Sequence, residues 1–415
     1  MQTASNLNMP DISACRDDFP VLKETMNGRP LAYLDSAASA QKPKIVIDTM
    51  REVMENGYAN IHRGLYRFSQ DMTRLYEGVR PKVAEFINAR HENEIVFTRN
   101  TTEAINLIAH GAGRVWLKEG EEILLTEMEH HANIVPWQLL RDQIKVNIRV
   151  LPVLDDGSLD LEALKTLLTK KTRLFSLTHV SNVLGTINPI KEIIKTVREF
   201  NPEIKIVVDG SQGVVHGPVD VQDLGCDFYV FTGHKLYGPT GVGVLWGKPE
   251  LLDQMPPYQG GGDMIERVTF EQTTYKAAPA RFEAGTPAIV EVIGLGAAVD
   301  YVRIIGMDTI AAHEQALFAQ AMETLAEIEG LKIYGTAPGK AGIISFTADW
   351  AHTSDIAMIL DQQGVAVRSG HHCCMPLMDR YNIEGTIRAS LGLYSNADDI
   401  AALGRALTKA KEMLA

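Results

Sequence analysis

The sequence predicts an α/β fold, with a large domain built on a mostly parallel seven-stranded sheet and a smaller α+β domain. Three observations carry this reading. From about residue 71, short β-branched or aromatic runs alternate with segments of helical length. Those runs show little polar alternation, as burial on both faces of a parallel sheet requires. Finally, 415 residues with 45% hydrophobic and 22% charged side chains are ordinary globular proportions in a chain longer than one core usually grows.

Taken in order, residues 1–20 are polar and expected to be flexible until Phe19-Pro20-Val21-Leu22 docks. The apolar run Leu31-Ala32-Tyr33-Leu34 leads into Asp35-Ser36-Ala37-Ala38-Ser39, where small polar residues and Pro43 break the chain before a helix over 44–55. Strands are expected at 95–98, 123–126, 146–150, 174–177, 204–208, 228–231 and 242–246. Helices are expected around 71–88, 102–110, 131–143, 160–169 and 189–199. A long Ala-rich helical run follows over 288–328, then strands at 342–346, 365–368 and 387–391 around a helix near 353–363, and a closing helix. The expected division is a flexible segment 1–20, an N-terminal part of the small domain 21–59, a large domain 60–290 and a C-terminal small domain 291–415.

Composition excludes several classes of function. A net charge of −12 argues against a broad electrostatic footprint for nucleic acid or anionic membrane. No segment approaches 18 consecutive apolar residues, and the N-terminus has neither a basic start nor an apolar run. Four cysteines, Cys15, Cys226, Cys373 and Cys374, are too sparse for a disulfide scaffold and lack CxxC spacing. A reducing, cytoplasmic setting is the expectation.

In an open α/β sheet, ligands gather beyond the carboxyl ends of the strands. The expected strands end in Asn100-Thr101-Thr102-Glu103, Glu129-His130-His131-Ala132-Asn133, His179-Val180-Ser181-Asn182, Asp209-Gly210-Ser211-Gln212 and Thr232-Gly233-His234-Lys235. Asn100 and Glu103 have capping-box spacing, and a helix start lined with Thr hydroxyls can hold a phosphate or simply be capped. Each of the other polar residues has its own plain structural reading, as a cap, a turn or a solvated side chain; together they assemble His, Asn, Asp, Gln and Lys on one rim. Metal binding is not expected: the pairs His130-His131 and His371-His372 are sequence neighbours that do not share a face, and no HExxH occurs. GxGxxG and P-loop patterns are also missing. Pyridoxal phosphate suits the rim better. Its aldehyde needs an amine such as Lys235, its ring nitrogen needs a carboxylate such as Asp209, and its phosphate needs donors such as those at Asn100–Thr102.

These motifs, with Arg281-Phe282-Glu283-Ala284-Gly285-Thr286-Pro287 and Arg368-Ser369-Gly370-His371-His372-Cys373, resemble the class V branch of fold-type I pyridoxal-phosphate enzymes. Within that branch they most resemble group II cysteine desulfurases of the SUF system, with selenocysteine lyase activity alongside. The resemblance runs from about Asp18 to the C-terminus. It implies that Lys235 forms the Schiff base and later shuttles the proton at substrate Cα, that His130 stacks on the pyridine ring, that Asp209 pairs with the ring nitrogen and that Gln212 bonds the phenolic oxygen. Thr102, Thr232 and His234 would hold the phosphate, joined by Thr286 from the second subunit of a homodimer. Asn182 and Arg388 would bind the substrate carboxylate, with His62 and Arg368 lining the pocket.

Cys373 would take sulfur from L-cysteine as a persulfide and leave L-alanine, helped by nearby positive charge that favours the thiolate. The sulfur would pass to a small acceptor of the SufE or SufU kind and a SUF scaffold for iron–sulfur cluster assembly. Cys374 departs from the family pattern and reads most simply as a small buried hydrophobe. Other reactions of the fold remain open at this stage: selenocysteine lyase, cysteine sulfinate desulfinase, kynureninase or aminotransferase. So does a sulfur carrier or assembly scaffold on a degenerate enzyme fold.

Overall fold

A computed structural model describes residues 12–415. The large sheet contains β1 (Ile95–Thr98), β2 (Glu122–Thr126), β3 (Asn147–Leu151), β4 (Thr172–Thr178), β5 (Lys205–Asp209), β6 (Phe228–Thr232) and β7 (Gly243–Gly247). Their spatial order is β1-β7-β6-β5-β4-β2-β3, and only β7 runs antiparallel to its neighbours. The reason lies in the connection. The 233–242 segment is too short to hold a crossover helix, so β7 turns straight back along β6, with Gly233 N–H donating to the Val242 carbonyl at 2.9 Å.

Successive side chains feed different cores. Val96, Ile123, Leu125, Val207, Phe228 and Val230 enter one apolar cluster. Phe97, Leu124, Ile206, Val208, Tyr229 and Phe231 enter another. Both sheet faces are therefore covered, which accounts for the missing polar alternation.

The smaller sheet contains β8 (Leu331–Tyr334), β9 (Ile343–Ala348), β10 (Arg368–Gly370) and β11 (Thr386–Ser390), in the antiparallel order β8-β9-β11-β10. Its own core includes Leu317, Phe346, Ile356, Ile387 and Leu403, and also takes in Ala32 and Leu34. Residues Ala32–Tyr33 pair in parallel with Val365–Ala366, and Ser390 N–H donates to the Leu34 carbonyl at 2.8 Å. The segment carrying Asp35 is thereby fixed to the end of β11.

Helices α1 (Lys44–Asn56), α2 (Thr101–Val115), α3 (Ile289–Ile305), α4 (Met307–Ala326) and α5 (Ala397–Leu414) follow the expected pattern with three corrections. The 288–328 run divides into α3 and α4 at Gly306, whose φ of 92° ends the first helix. The 71–88 segment becomes two helices, Arg67–Glu77 and Val79–Phe86. Pro81 near the start of the second lacks the N–H that would continue the first helix's ladder. Residues 12–18, expected within the flexible segment, form a 3-10 turn in which Cys15 is buried and Arg16 pairs with Asp399 at 2.8 Å. Phe19 is then buried among the rings of Tyr237, Tyr301 and Tyr394. The rest of that segment, 1–11, lies outside the described residues.

Candidate active site

The strand ends meet at a cleft of about 470 Å³, closed on its far side by Arg368, the 369–373 loop and Arg388 of the smaller sheet. Its lining includes Thr102, His130, Asn182, Asp209, Gln212, Thr232, His234, Lys235 and Cys373. Eleven of the thirteen residues expected at the site thus line one cavity.

Each is placed by local structure. Asn100 caps α2, its Oδ1 accepting from Glu103 N–H at 2.9 Å, which turns Thr101 and Thr102 and their helix start toward the cleft. The expected reciprocal half of a capping box is replaced: Glu103 accepts instead from Arg99 N–H at 2.6 Å. Asp209 ends β5, is buried, and accepts from Ser211 N–H at 2.9 Å. The neighbouring Gly210 and Gly213 are sterically required, because an added Cβ would lie 2.0 Å from Tyr229 and 2.4 Å from His179. Lys235 makes no hydrogen bond among the described residues; burial lowers its pKa against the opposing pull of Asp209 and so favours the free amine.

His130 accepts from Ala132 N–H at Nδ1, 3.0 Å away. Burial, then the Lys235 charge, lower its pKa to about 4, so its ring is neutral near pH 7. His234 is lowered to about 4 for the same two reasons, with Lys42 adding to them. Beneath His130, Glu129 is fully buried and receives Thr126 Oγ1, Asn133 Nδ2 and Thr178 N–H at 2.5, 2.6 and 2.9 Å. Burial nonetheless raises its pKa to about 8.

Cys373 is exposed to the cleft on a strained loop. His372 and Cys373 both adopt left-handed backbone, with φ of 50° and 57°. Non-glycine residues hold that region only when their surroundings impose it. Here Cys373 N–H donates to His371 Nδ1 at 3.0 Å, and its carbonyl accepts from His131 N–H at 2.7 Å. His372 is buried, with Nε2 3.0 Å from both the Thr386 carbonyl and Oγ1. Cys374 is wholly buried, its thiol pKa pushed up by burial, and its Sγ donates to Asn182 Oδ1 at 3.1 Å.

The Asn182 carboxamide is occupied at both ends, since Nδ2 donates to the His372 carbonyl at 2.9 Å. In this state it holds the Cys373 loop rather than offering its side chain to a carboxylate. Arg388, 2% exposed, donates Nη1 to the Asn182 carbonyl at 2.9 Å and Nη2 to Asp35 Oδ1 at 3.2 Å. Its Nε finds no partner among the described residues. Arg368 donates to the other oxygen of Asp35 at 2.8 Å.

Two expected residues lie elsewhere within the chain. His62 pairs with Glu77 at 2.7 Å in a separate cavity beside Arg80. Thr286 lines another cleft with Tyr258 and Glu283. Conversely, Asp35, Lys42 and His216 escaped the sequence reading. Lys42 donates to the His234 carbonyl at 2.9 Å, next to Lys235. The break in structure at 35–39 was legible, but its role beside Arg388 depends on pairing across the whole chain.

The aminotransferase class-V family model matches residues 32–403. A cysteine desulfurase of Dickeya dadantii is 51% identical over 404 residues, covering 97% of each chain. One of Serratia proteamaculans is 50% identical, covering 97% of this chain and 99% of its own. Among solved structures, the S-sulfonic acid form of cysteine desulfurase CsdA from Escherichia coli has a TM-score of 0.90 at 37% identity, covering 98% of this chain and 99% of its own. The chain belongs to the cysteine desulfurases of the class-V aminotransferase family. As a member of that family it is a pyridoxal 5'-phosphate enzyme, and the cleft fits the cofactor. Thr232 Oγ1 is buried without a partner among the described residues, Lys235 presents an unengaged amine, and Asp209 supplies a carboxylate to the cleft that the His130 ring also lines. Among the described residues, no helix is long and apolar enough to cross a membrane, and no cluster of three His, Cys, Asp or Glu side chains is arranged for a metal ion.

Proposed function

We propose that this cysteine desulfurase is of the SUF type, group II, converting L-cysteine to L-alanine and holding the sulfur on Cys373 for iron–sulfur cluster assembly. The observation that carries the reading is the exposed Cys373 thiol, held on a strained loop in the same cleft as Lys235 and Arg388. Thr102, Thr232 and His234 would hold the phosphate, His130 the ring face, Asp209 the ring nitrogen and Gln212 the phenolic oxygen. Bound there, pyridoxal phosphate supplies an electron sink that makes the substrate Cα–H acidic and its Cβ–S bond labile.

The side chains then divide the work. Arg388 orients the substrate carboxylate through its guanidinium, with Arg368 at the cleft edge. Lys235, kept as an amine by burial, takes the Cα proton and later returns one. The Cys373 thiolate attacks the substrate sulfur: an S–S bond forms, the Cβ–S bond breaks, and its electron pair stays with the carbon fragment, which is protonated to alanine. Cys373 keeps the persulfide. Asn182, bonded to His372 and Cys374, holds the loop that aims Cys373.

In this reading the enzyme is a cytoplasmic homodimer, Thr286 and His62 serve the partner's cleft or its rim, and a SufE- or SufU-type protein receives the sulfur for a SUF scaffold. Selenocysteine lyase activity accompanies the desulfurase activity. The proposed division is 21–59 with 291–415 as the small domain and 60–290 as the large one. Incubation with L-cysteine, with alanine and peptide persulfide followed together by mass spectrometry, tests the proposal. Equimolar alanine and a 32 Da increment on the Cys373 peptide are expected, the increment being about one sulfur atom. Sulfide release with no increment at Cys373 refutes the assignment.

A further inference from the structure

Behind the cleft lies a buried histidine–glutamate pair that none of these steps uses. His216 Nδ1 is 2.6 Å from Glu314 Oε2, and the two side chains are only 3% and 2% exposed. His216 Nε2 is in turn 3.3 Å from Gln212 Oε1, while Gln212 Nε2 donates to the Ala37 carbonyl at 2.8 Å. The other Glu314 oxygen finds no donor among the described residues. A titratable pair taken this far from water is costly unless it is paired and bonded.

The hydrogen-bond inventory settles the orientation. Ala37 offers only a carbonyl, so the amide nitrogen of Gln212 must face it, and Oε1 must face His216. Nε2 of His216 must then carry a proton. Its other nitrogen faces a carboxyl group, so a second proton lies between Nδ1 and Glu314. The pair therefore holds two protons: one bonds Glu314 to His216 and the other bonds His216 to Gln212. The reverse amide orientation would set two oxygens against each other at Ala37. With one N–H engaged by Ala37 and Oε1 turned toward His216, Gln212 keeps a second N–H that it can offer the cleft.

We infer that Glu314 and His216 are positioning residues that lock the Gln212 carboxamide as a hydrogen-bond donor toward the cleft. This rests on the reading above that Gln212 faces the phenolic oxygen of the cofactor. A donor there stabilises the anionic oxygen and makes the protonated form of the Schiff-base group easier to deprotonate. The other titratable groups facing Glu314 are Tyr237 and Tyr394. The first accepts from Leu393 N–H at 3.0 Å; the second contacts Ser36 Oγ at 2.8 Å and accepts from Gln41 N–H at 3.1 Å.

The test is a pH titration of the visible absorbance of the holoenzyme, with melting temperature and bound cofactor measured on each variant. Glu314→Leu removes the carboxyl group that shares a proton with Nδ1; His216→Phe removes both contacts. Each is expected to raise the pH of half-conversion by at least about half a unit, roughly threefold in proton affinity, in the direction that Gln212→Leu moves it. If Gln212→Leu shifts the titration and folded, cofactor-loaded Glu314→Leu does not, the inference is overturned while the role of Gln212 stands. If Gln212→Leu itself causes no shift, the reading of Gln212 fails and the inference falls with it.

Discussion

Replacing Arg388 by lysine separates substrate anchoring from chemistry. The guanidinium makes two bonds at once, to the Asn182 carbonyl and to Asp35, and it is 2% exposed. A lysine ammonium is a point donor that cannot span both partners in the geometry of the fork. Hydrogen bonds to charged groups contribute about 1.5–3 kcal/mol each, so losing one arm and the bidentate grip on a substrate carboxylate is expected to cost about 2–3 kcal/mol. At about 1.4 kcal/mol per factor of ten, kcat/KM for L-cysteine falls about 30- to 160-fold. The carboxylate is held alike before and during Cβ–S cleavage, so most of the loss should appear in KM. Alanine formation over a range of L-cysteine concentrations measures the split, with melting temperature and bound cofactor as controls. A variant that folds and loads normally, keeps KM and loses kcat would refute the anchoring role.

Cys373→Ala should abolish sulfide release from L-cysteine yet spare much of the selenide release from L-selenocysteine, because selenide departs with less nucleophilic help; equal loss of both activities defeats that division. Brief alkylation of the native protein followed by peptide mass spectrometry should label Cys373 and leave Cys374 unmodified, since Cys374 is buried with a raised thiol pKa and bonded to Asn182. Labelling of Cys374 at a rate comparable to Cys373 would contradict the burial argument.

Stability should fall in acid. His130, His179 and His234 are lowered from 6.5 to about 4, and His372 to about 3, so the unfolded chain binds protons that the folded one refuses as pH drops below 6.5. Glu129, raised from 4.5 to about 8, acts in the opposite sense between those values, but it is one group against four. Thermal melts of the apoprotein are therefore expected to lose stability from pH 6.5 toward pH 4; a flat profile across that window would show that these histidines are not held neutral.

Much of the site was legible because a parallel sheet delivers the residue after each strand to one rim. The positions of His130, Asp209 and Lys235 follow from where apolar runs stop, and the runs stop where their side chains leave the two cores. The cysteine pair was visible as an oddity. Its division of labour came only through the family resemblance, because locally Cys373 and Cys374 differ just in which way each side chain leaves a left-handed turn fixed by His131, His371 and Asn182. Helix boundaries failed where a single residue decided them, at Gly306 and beside Pro81, since apolar periodicity continues across both breaks.

The sequence by itself determined the sheet, the order of its strands along the chain, the cofactor chemistry on its rim and the family, because local periodicity and strand-end residues encode them. Tertiary structure alone decided which charges meet. Asp35 reaches Arg388 across 353 positions and His216 reaches Glu314 across 98. Nothing in the local pattern marks either partner. Both pairs form because folding withdraws a guanidinium and an imidazole from water, and each then requires the nearest carboxylate that the fold provides.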